Sequence, residues 1–548
     1  MITFNRRHLA LAALAAGCTP RATPDLIIHG GPIYTGVAAT PQVEAVRISG
    51  GRFAIVGALS DARARSSGAR EIDLNGAAAF PGFTDNHVHL TGVGMAAMLL
   101  DLVGVESIAA MQQRLRDYAR SHPEGAIYGR GWIETHWPEH RFPNRADLDA
   151  IVSDRPVFLE RIDGHAAVVN SAGLALAGID ANTANPDGGA IERDAAGAAT
   201  GMLIDNAAGL VQSRLPAPTP AMVRQAIAEG ARIYAARGWT GICNMSTSAA
   251  EAALFEEFAR SGELPLRADI YLTPEDSATV MERGPYGEGL CHVRGVKLYM
   301  DGALGSRGAA LLAPYSDAPT QGLLVTPLEQ LRAMLAQARA RNVQVATHAI
   351  GDRGNRLALD AYRDAFAGDV AALRAQRWRI EHAQVISPQD LPRFAAQGVI
   401  ASMQPSHAIS DLFFAPARLG PDRLSGAYAW RSLLDSGAVI CGGSDAPVEK
   451  GDPLIEYYAA IHRHDVSGFA GPEWGLDQAV SRDQALAMFT TASAFATFSE
   501  ADRGVVAAGK RADLSVFSAD LMTAAPAEIP TARAVLTVSE GRITHEAS

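Results

Sequence analysis

From about residue 80 to 497 the chain alternates short apolar runs with longer amphipathic stretches. The runs end near His87, Arg130, Arg161, Asn244, Leu272, Met300, His348, His382, Ser402 and Ser444. Between them lie segments such as M-V-R-Q-A-I-A-E-G-A-R-I-Y-A-A-R-G and L-E-Q-L-R-A-M-L-A-Q-A-R-A-R-N, whose apolar positions recur at helical spacing. Their closing Gly238 and Asn342 sit where helix caps belong. Strand and helix alternating in this way predict βα units on a parallel sheet. Ten runs are more than one eight-stranded barrel can use, so at least two belong to an insertion. The best candidate is about 125–220, which is irregular and rich in Pro, Gly, Trp and His.

The flanks follow a different period. Residues 25–79 carry short alternating runs, and Gly50-Gly51 separates two of them as a hairpin turn would. Residues 498–548 repeat the style in R-A-D-L-S-V-F-S and R-A-V-L-T-V-S-E-G-R-I-T. Neither end has enough strand to close a stable sheet alone, so the two are expected to pair into one small β-sandwich. The predicted architecture is α/β: a (β/α)8 TIM-like barrel over 80–497 with an insertion, flanked by that composite sandwich.

Residues 1–24 form a leader. Arg6-Arg7 precede the apolar run from Leu9 to Ala16, then Gly17-Cys18 and a Pro- and Thr-containing linker. This is a signal-peptide layout. The paired arginines resemble a twin-arginine export signal, and Ala-Ala-Gly-Cys resembles a bacterial lipobox that would lipidate Cys18. The expectation is an exported protein, periplasmic or anchored to the membrane as a lipoprotein. The alternative is a cytoplasmic enzyme with an Ala-rich tail. Beyond residue 20 no apolar run approaches membrane-spanning length.

A formal net charge of -11 without a Lys/Arg cluster argues against a nucleic-acid partner. Cys243, Cys291 and Cys441 lie far apart and are odd in number, which fits small buried hydrophobes better than a disulfide framework.

The chemistry concentrates at the ends of the apolar runs. His87 and His89 close F-T-D-N-H-V-H, where alternate strand positions share a face and both imidazoles can reach one ion. His462 and His464 have the same spacing but follow a helical pattern that turns them apart, so they read as surface histidines. His348 and His382 each close an apolar run, and Asp445 closes G-A-V-I-C-G-G-S-D beside glycines that permit close backbone approach. Lys297 stands within V-R-G-V-K-L-Y-M. A buried lysine loses its proton readily, and the neutral amine can take up carbon dioxide to become a carbamate that bridges two cations. The competing view of Lys297 is a snorkelling side chain or an ion pair with Asp301. Ligands delivered one at a time from successive strand ends are how a (β/α)8 barrel builds a site at one mouth.

These motifs resemble the amidohydrolase superfamily, in its amidohydrolase family 3 branch of N-substituted formamide deformylase-like, metal-dependent hydrolases. P-G-F-T-D-N-H-V-H, V-K-L-Y-M-D-G-A-L-G-S-R-G-A-A-L, H-A-I-G-D-R, I-E-H-A-Q and G-S-D-A-P-V occur in that order. They are joined by G-W-I-E-T-H-W and D-G-H-A-A-V-V-N-S-A-G-L in the insertion and by G-K-R-A-D-L near the end. The resemblance implies a deformed barrel with a flanking sandwich and one or two divalent ions, with Zn2+ the best match to imidazole and carboxylate ligands. It also implies a ligand set of His87, His89, Lys297, His348, His382 and Asp445. His87, His89 and Asp445 would hold one ion, His348 and His382 the other, and carboxylated Lys297 would bridge them. Asp445 would be the proton-transferring catalytic residue.

The implied reaction is hydrolysis of a C–N, amide-type bond in a small molecule. Ester or lactone hydrolysis and hydrolytic deamination use the same chemistry and stay open. A non-catalytic exported lipoprotein that captures a metal or ligand is the rival from another class, and a missing ligand would be its signature. Trp132, Trp137, His136, His165, Asp301, Arg307 and His407 are candidates for the substrate pocket, with core packing the competing role for the two tryptophans and a structural ion pair for Arg307.

Overall fold

The structure is a computed structural model that describes residues 25–547 apart from 65–67, 135–136, 162–165, 187–188 and 472–474. Residues 1–24 with Cys18, expected from sequence to be a leader, and His136 and His165 of the insertion lie outside the described residues.

Eight parallel strands form the centre: β1 (Phe83–Val88), β2 (Trp239–Thr247), β3 (Arg267–Leu272), β4 (Cys291–Tyr299), β5 (Gln344–Ala349), β6 (Arg379–His382), β7 (Ile400–Met403) and β8 (Ile440–Gly442). Each pairs with the next in chain order. A parallel bridge from Val88 to Ala446 brings the last back to the first, so the barrel is nearly closed. These strands are buried along almost their whole length because one face meets the barrel interior and the other meets helices.

Local sequence accounts for the helical ring. Thr219 caps the helix Pro220–Arg237 by accepting from Met222 N, Pro220 stands at its first turn where no N–H is needed, and Gly238 closes it at φ 100°. This helix lies against Leu90–Met98, where two glycines set the spacing. A Cβ on Gly94 would stand 1.7 Å from Ala226 O, and one on Gly230 would stand 2.5 Å from Leu90 O. The helix that follows β1 is thereby held close to the helix that precedes β2.

The runs ending at Arg130 and Arg161 lie outside the barrel, in a six-stranded sheet inserted between β1 and β2. Its order is Gly189–Arg193, Ala199–Asp205, Ala166–Val169, Val157–Arg161, Ile127–Trp132, Leu100–Asp101. The last of these strands falls upstream of residue 125.

Strands from both chain ends form one continuous eight-stranded sheet, joined where Ala78–Pro81 pairs antiparallel with Leu514–Phe517. Ser515 couples this sheet to the barrel: its hydroxyl accepts from Phe83 N at 2.9 Å and donates to Gly238 O at 2.6 Å. Beside it Phe517 meets Phe83 edge-on at 5.5 Å between ring centroids. The two ends thus close over the N-terminal end of β1, leaving the opposite mouth to the candidate ligands. Among the described residues no helix is long and apolar enough to cross a membrane.

Candidate metal and catalytic site

At the C-terminal mouth of the barrel lies a cavity of about 380 Å³, lined by all six predicted ligands together with Tyr299, Gln384, His407, Asp411 and Phe414. β1 supplies His87 and the residue just after it His89, β4 Lys297, β5 His348, β6 His382, and the loop after β8 Asp445. His382 (φ 72°) and Asp445 (φ 59°) both adopt left-handed backbone, a conformation non-glycine residues hold only where the surroundings impose it. Gly443 allows the β8 loop to press on β1, since a Cβ there would stand 2.5 Å from His87 N. Asp85 fastens the same junction by accepting from His87 N, Ser444 N and the Ser444 hydroxyl at 3.0, 2.9 and 2.6 Å.

Each of three imidazoles has one ring nitrogen engaged from outside the cluster, which fixes the nitrogen it presents inward. His87 Nδ1 meets Glu381 Oε2 at 2.5 Å, His89 Nδ1 meets Met245 O at 3.1 Å, and His382 Nδ1 meets Gln404 Oε1 at 2.8 Å. His87 Nε2 and His89 Nε2 then converge on Asp445 Oδ1 at 3.5 and 3.2 Å. His87, His382 and Asp445 offer donor atoms within 4.8 Å of one another. The ring of His348 stands 4.5 Å from that of His382 between centroids. Lys297 Nζ is 3.0 Å from His87 Nε2.

Burial first, and then the Lys297 charge, pushes His87 down to about 4 and His348 to about 3, so both rings are neutral and can ligate at physiological pH. Burial opposes ionisation of Asp445, but the histidines around it, His87 foremost, hold it well below the usual carboxylate range. Burial also lowers Lys297 to about 8. Neutral imidazoles around one carboxylate form a donor set that fits a divalent cation of the Zn2+ class.

Behind the ligands, Glu381 is gripped by Arg379, whose Nε and Nη2 reach it at 2.5 and 3.1 Å while Nη2 also donates to Asn86 O and the Ser402 hydroxyl. Burial alone would raise Glu381, yet Arg379 and then His87 hold it at about 2. Glu381, Arg379, Gln404 and Asp85 were not singled out by sequence reasoning. A signal existed for the pair: Arg379 and Glu381 are two apart in W-R-I-E-H, on one face of a wholly buried strand, where unpaired charge is not tolerated.

The remaining sequence candidates divide. His407 lines the cavity, with Nε2 3.7 Å from Asp445 Oδ2. Asp301 lies behind it: its carboxylate accepts from Ala310, Ile350 and Gly351 backbone N–H groups at 2.8–2.9 Å, tying together the loops after β4 and β5. Its nearest approach to a ligand is 3.8 Å, to His348 Nε2. Arg307 is corrected from a substrate contact to a structural ion pair with Asp317 at 2.9 Å. For Trp132 and Trp137, core packing replaces substrate stacking. Both are buried in the insertion's own core, and their indole N–H groups donate to Leu159 O and Val105 O. The expectation that helix geometry turns His462 and His464 apart is corrected: the helix ends at His462, Arg463 adopts left-handed backbone at φ 56°, and the two rings lie 4.0 Å apart, but neither lines the cavity.

A parallel barrel with histidines and an aspartate converging at its C-terminal mouth is the arrangement of a metal-dependent hydrolase. Residues 70–545 match the amidohydrolase family, and the chain belongs to it. It is 34% identical to the protein YtcJ of Bacillus subtilis (strain 168), over 95% of this chain and 99% of that one. It is 28% identical to N-substituted formamide deformylase of Arthrobacter pascens, over 95% and 98% of the two chains. In three dimensions it is similar to an uncharacterized metal-dependent hydrolase of Pyrococcus horikoshii, with TM-score 0.77, 28% identity and coverage of 92% and 99%.

Proposed function

We propose that the protein hydrolyses a C–N, amide-type bond of a small molecule, using one or two divalent ions, Zn2+ best suited, held by His87, His89, His348, His382 and Asp445 and by a carbamate on Lys297. The convergence of His87 Nε2 and His89 Nε2 on one carboxylate oxygen carries this reading. It is supported by the similarity to a protein named N-substituted formamide deformylase. Such an ion, when bound, makes water acidic enough to attack near neutral pH and polarises a scissile carbonyl.

The protein's own residues do the rest. Asp445 is ionised and faces the cavity, so its carboxylate takes the proton from the attacking water and delivers it to the leaving nitrogen. Lys297 Nζ, fully buried and largely neutral above about pH 8, adds to carbon dioxide with loss of a proton and becomes an anionic oxygen donor beside His87. Glu381 and Gln404 hold His87 and His382 in the tautomers that present a lone pair inward. The reading extends to an exported protein anchored through Cys18.

Metal analysis of the purified protein is expected to find one to two equivalents per chain. Formate, acid and amine release from N-formyl and N-acyl amides, cyclic ureas, lactones and aminated heterocycles then identifies the bond class. A metal-free preparation with full activity ends the metal proposal, and turnover confined to lactones ends the C–N proposal.

A further inference from the structure

Two buried polar atoms beside the ligand set have no hydrogen-bond partner among the described residues: Gln384 Oε1 and His407 Nε2. Both side chains line the cavity, and the residues are only 4% and 6% exposed. They are also joined to each other, Gln384 Nε2 standing 2.9 Å from His407 Nδ1. An amide nitrogen can only donate, so His407 Nδ1 accepts and the ring proton resides on Nε2. At 3.7 Å from Asp445 Oδ2, that N–H is beyond hydrogen-bond length. The ring lies nearly parallel to His382, 5.8 Å away between centroids and tilted by 21°. Two side chains of the cavity lining next to the candidate ligands thus carry one N–H donor and one C=O acceptor, buried, unpaired and linked to each other. Buried groups of this kind are costly until something pairs with them.

One donor beside one acceptor is the complement of an amide that carries its own N–H. We propose that Gln384 and His407 form a subsite that selects primary and secondary amides: His407 Nε2–H donates to the acyl oxygen, and Gln384 Oε1 accepts from the substrate N–H. This rests on the C–N reading above and narrows it. An ester places an oxygen lone pair against Gln384 Oε1, and a tertiary amide places an alkyl group there. Each leaves the acceptor unpaired, which is the situation in which enzymes discriminate strongly against an analogue lacking one hydrogen. Gln384 and His407 act here as specificity-determining residues.

The test uses the zinc-loaded full chain with formanilide, N-methylformanilide and phenyl formate, measuring affinity by calorimetric titration and turnover by formate release. Wild type is expected to favour formanilide over N-methylformanilide by about 10- to 100-fold in affinity, the effect of leaving one buried acceptor unpaired. Gln384→Ala should reduce that ratio to about 3-fold or less, with zinc content unchanged. His407→Phe should weaken both formamides alike and keep the ratio, since both share the acyl oxygen. Equal affinity of wild type for the two formamides overturns the subsite even if both are hydrolysed, as does a ratio that survives Gln384→Ala. If Gln384→Ala does not fold, the wild-type ratio decides alone. A retained affinity ratio with turnover of phenyl formate only would sink the C–N reading and leave the subsite standing.

Discussion

Glu381→Gln isolates what the ion pair behind His87 does. The substitution keeps the shape and one acceptor oxygen but removes the charge that Arg379 and His87 Nδ1 share, at 2.5 Å each, in a fully buried setting. Removing one member of a buried pair costs about 3–5 kcal/mol. The lower end applies here, because the amide oxygen still accepts and Arg379 keeps Asn86 O and the Ser402 hydroxyl. The effect on the metal is separate. An ionised carboxylate on Nδ1 raises the basicity of Nε2, and losing such a partner typically weakens metal affinity by about 10- to 100-fold. Chelator competition would give the Zn2+ dissociation constant, and urea denaturation of the metal-free protein the stability. Glu229→Gln, which breaks an exposed pair with Arg232, is the control and should shift stability by no more than about 0.5 kcal/mol. The reasoning fails if Glu381→Gln binds Zn2+ as tightly as wild type, because Glu381 would then brace the barrel without tuning His87.

Lys297→Ala should lose metal and activity, with partial recovery on adding short carboxylic acids such as formate or acetate; full activity without rescue removes the carbamate. For metal-free protein, His87 at about 4 and His348 at about 3 lie below the unfolded value of 6.5. The unfolded chain therefore binds protons first as pH falls, and the urea midpoint should drop steadily below pH 6.5 towards 4. A flat midpoint between pH 7.5 and 5 would show that these rings are not held neutral. Cys18→Ser should release the protein from the membrane fraction of an expressing bacterium; cytosolic location of both forms counts against export.

That the six candidate ligands would meet at one mouth was legible because a strand end is a local event. An apolar run that stops at a histidine or aspartate is visible in a few residues, and such stops, with Lys297 inside β4, mark five stations around one mouth. Strand membership was less so. The runs ending at Arg130 and Arg161 have the same apolar character as barrel strands, and only their pairing with each other and with neighbouring strands of the insertion assigns them to the inserted sheet. Trp132 and Trp137 were ambiguous for a related reason. A tryptophan that packs in a core and one that stacks on substrate have the same neighbours in sequence, and what separates them here is their indole donation to Leu159 O and Val105 O.

The charges behind the ligands make the deeper case. Glu381 lies beside His382 in the chain, yet it serves His87, 294 positions away, and Arg379 serves Asn86 across the same barrel. Such service is a property of a closed sheet, where inward-facing residues of strands far apart in the chain meet across the interior. It leaves one trace in sequence, a pair of opposite charges two apart inside a strand that has no exposed face. In a parallel barrel such a pair has no route to water, so it must be neutralised within the interior. Arg267 and Asp269 have the same spacing on the wholly buried β3, which carries no candidate ligand, so such a pair marks an interior charge network; on β6 that network reaches a candidate ligand through Glu381 and His87 Nδ1.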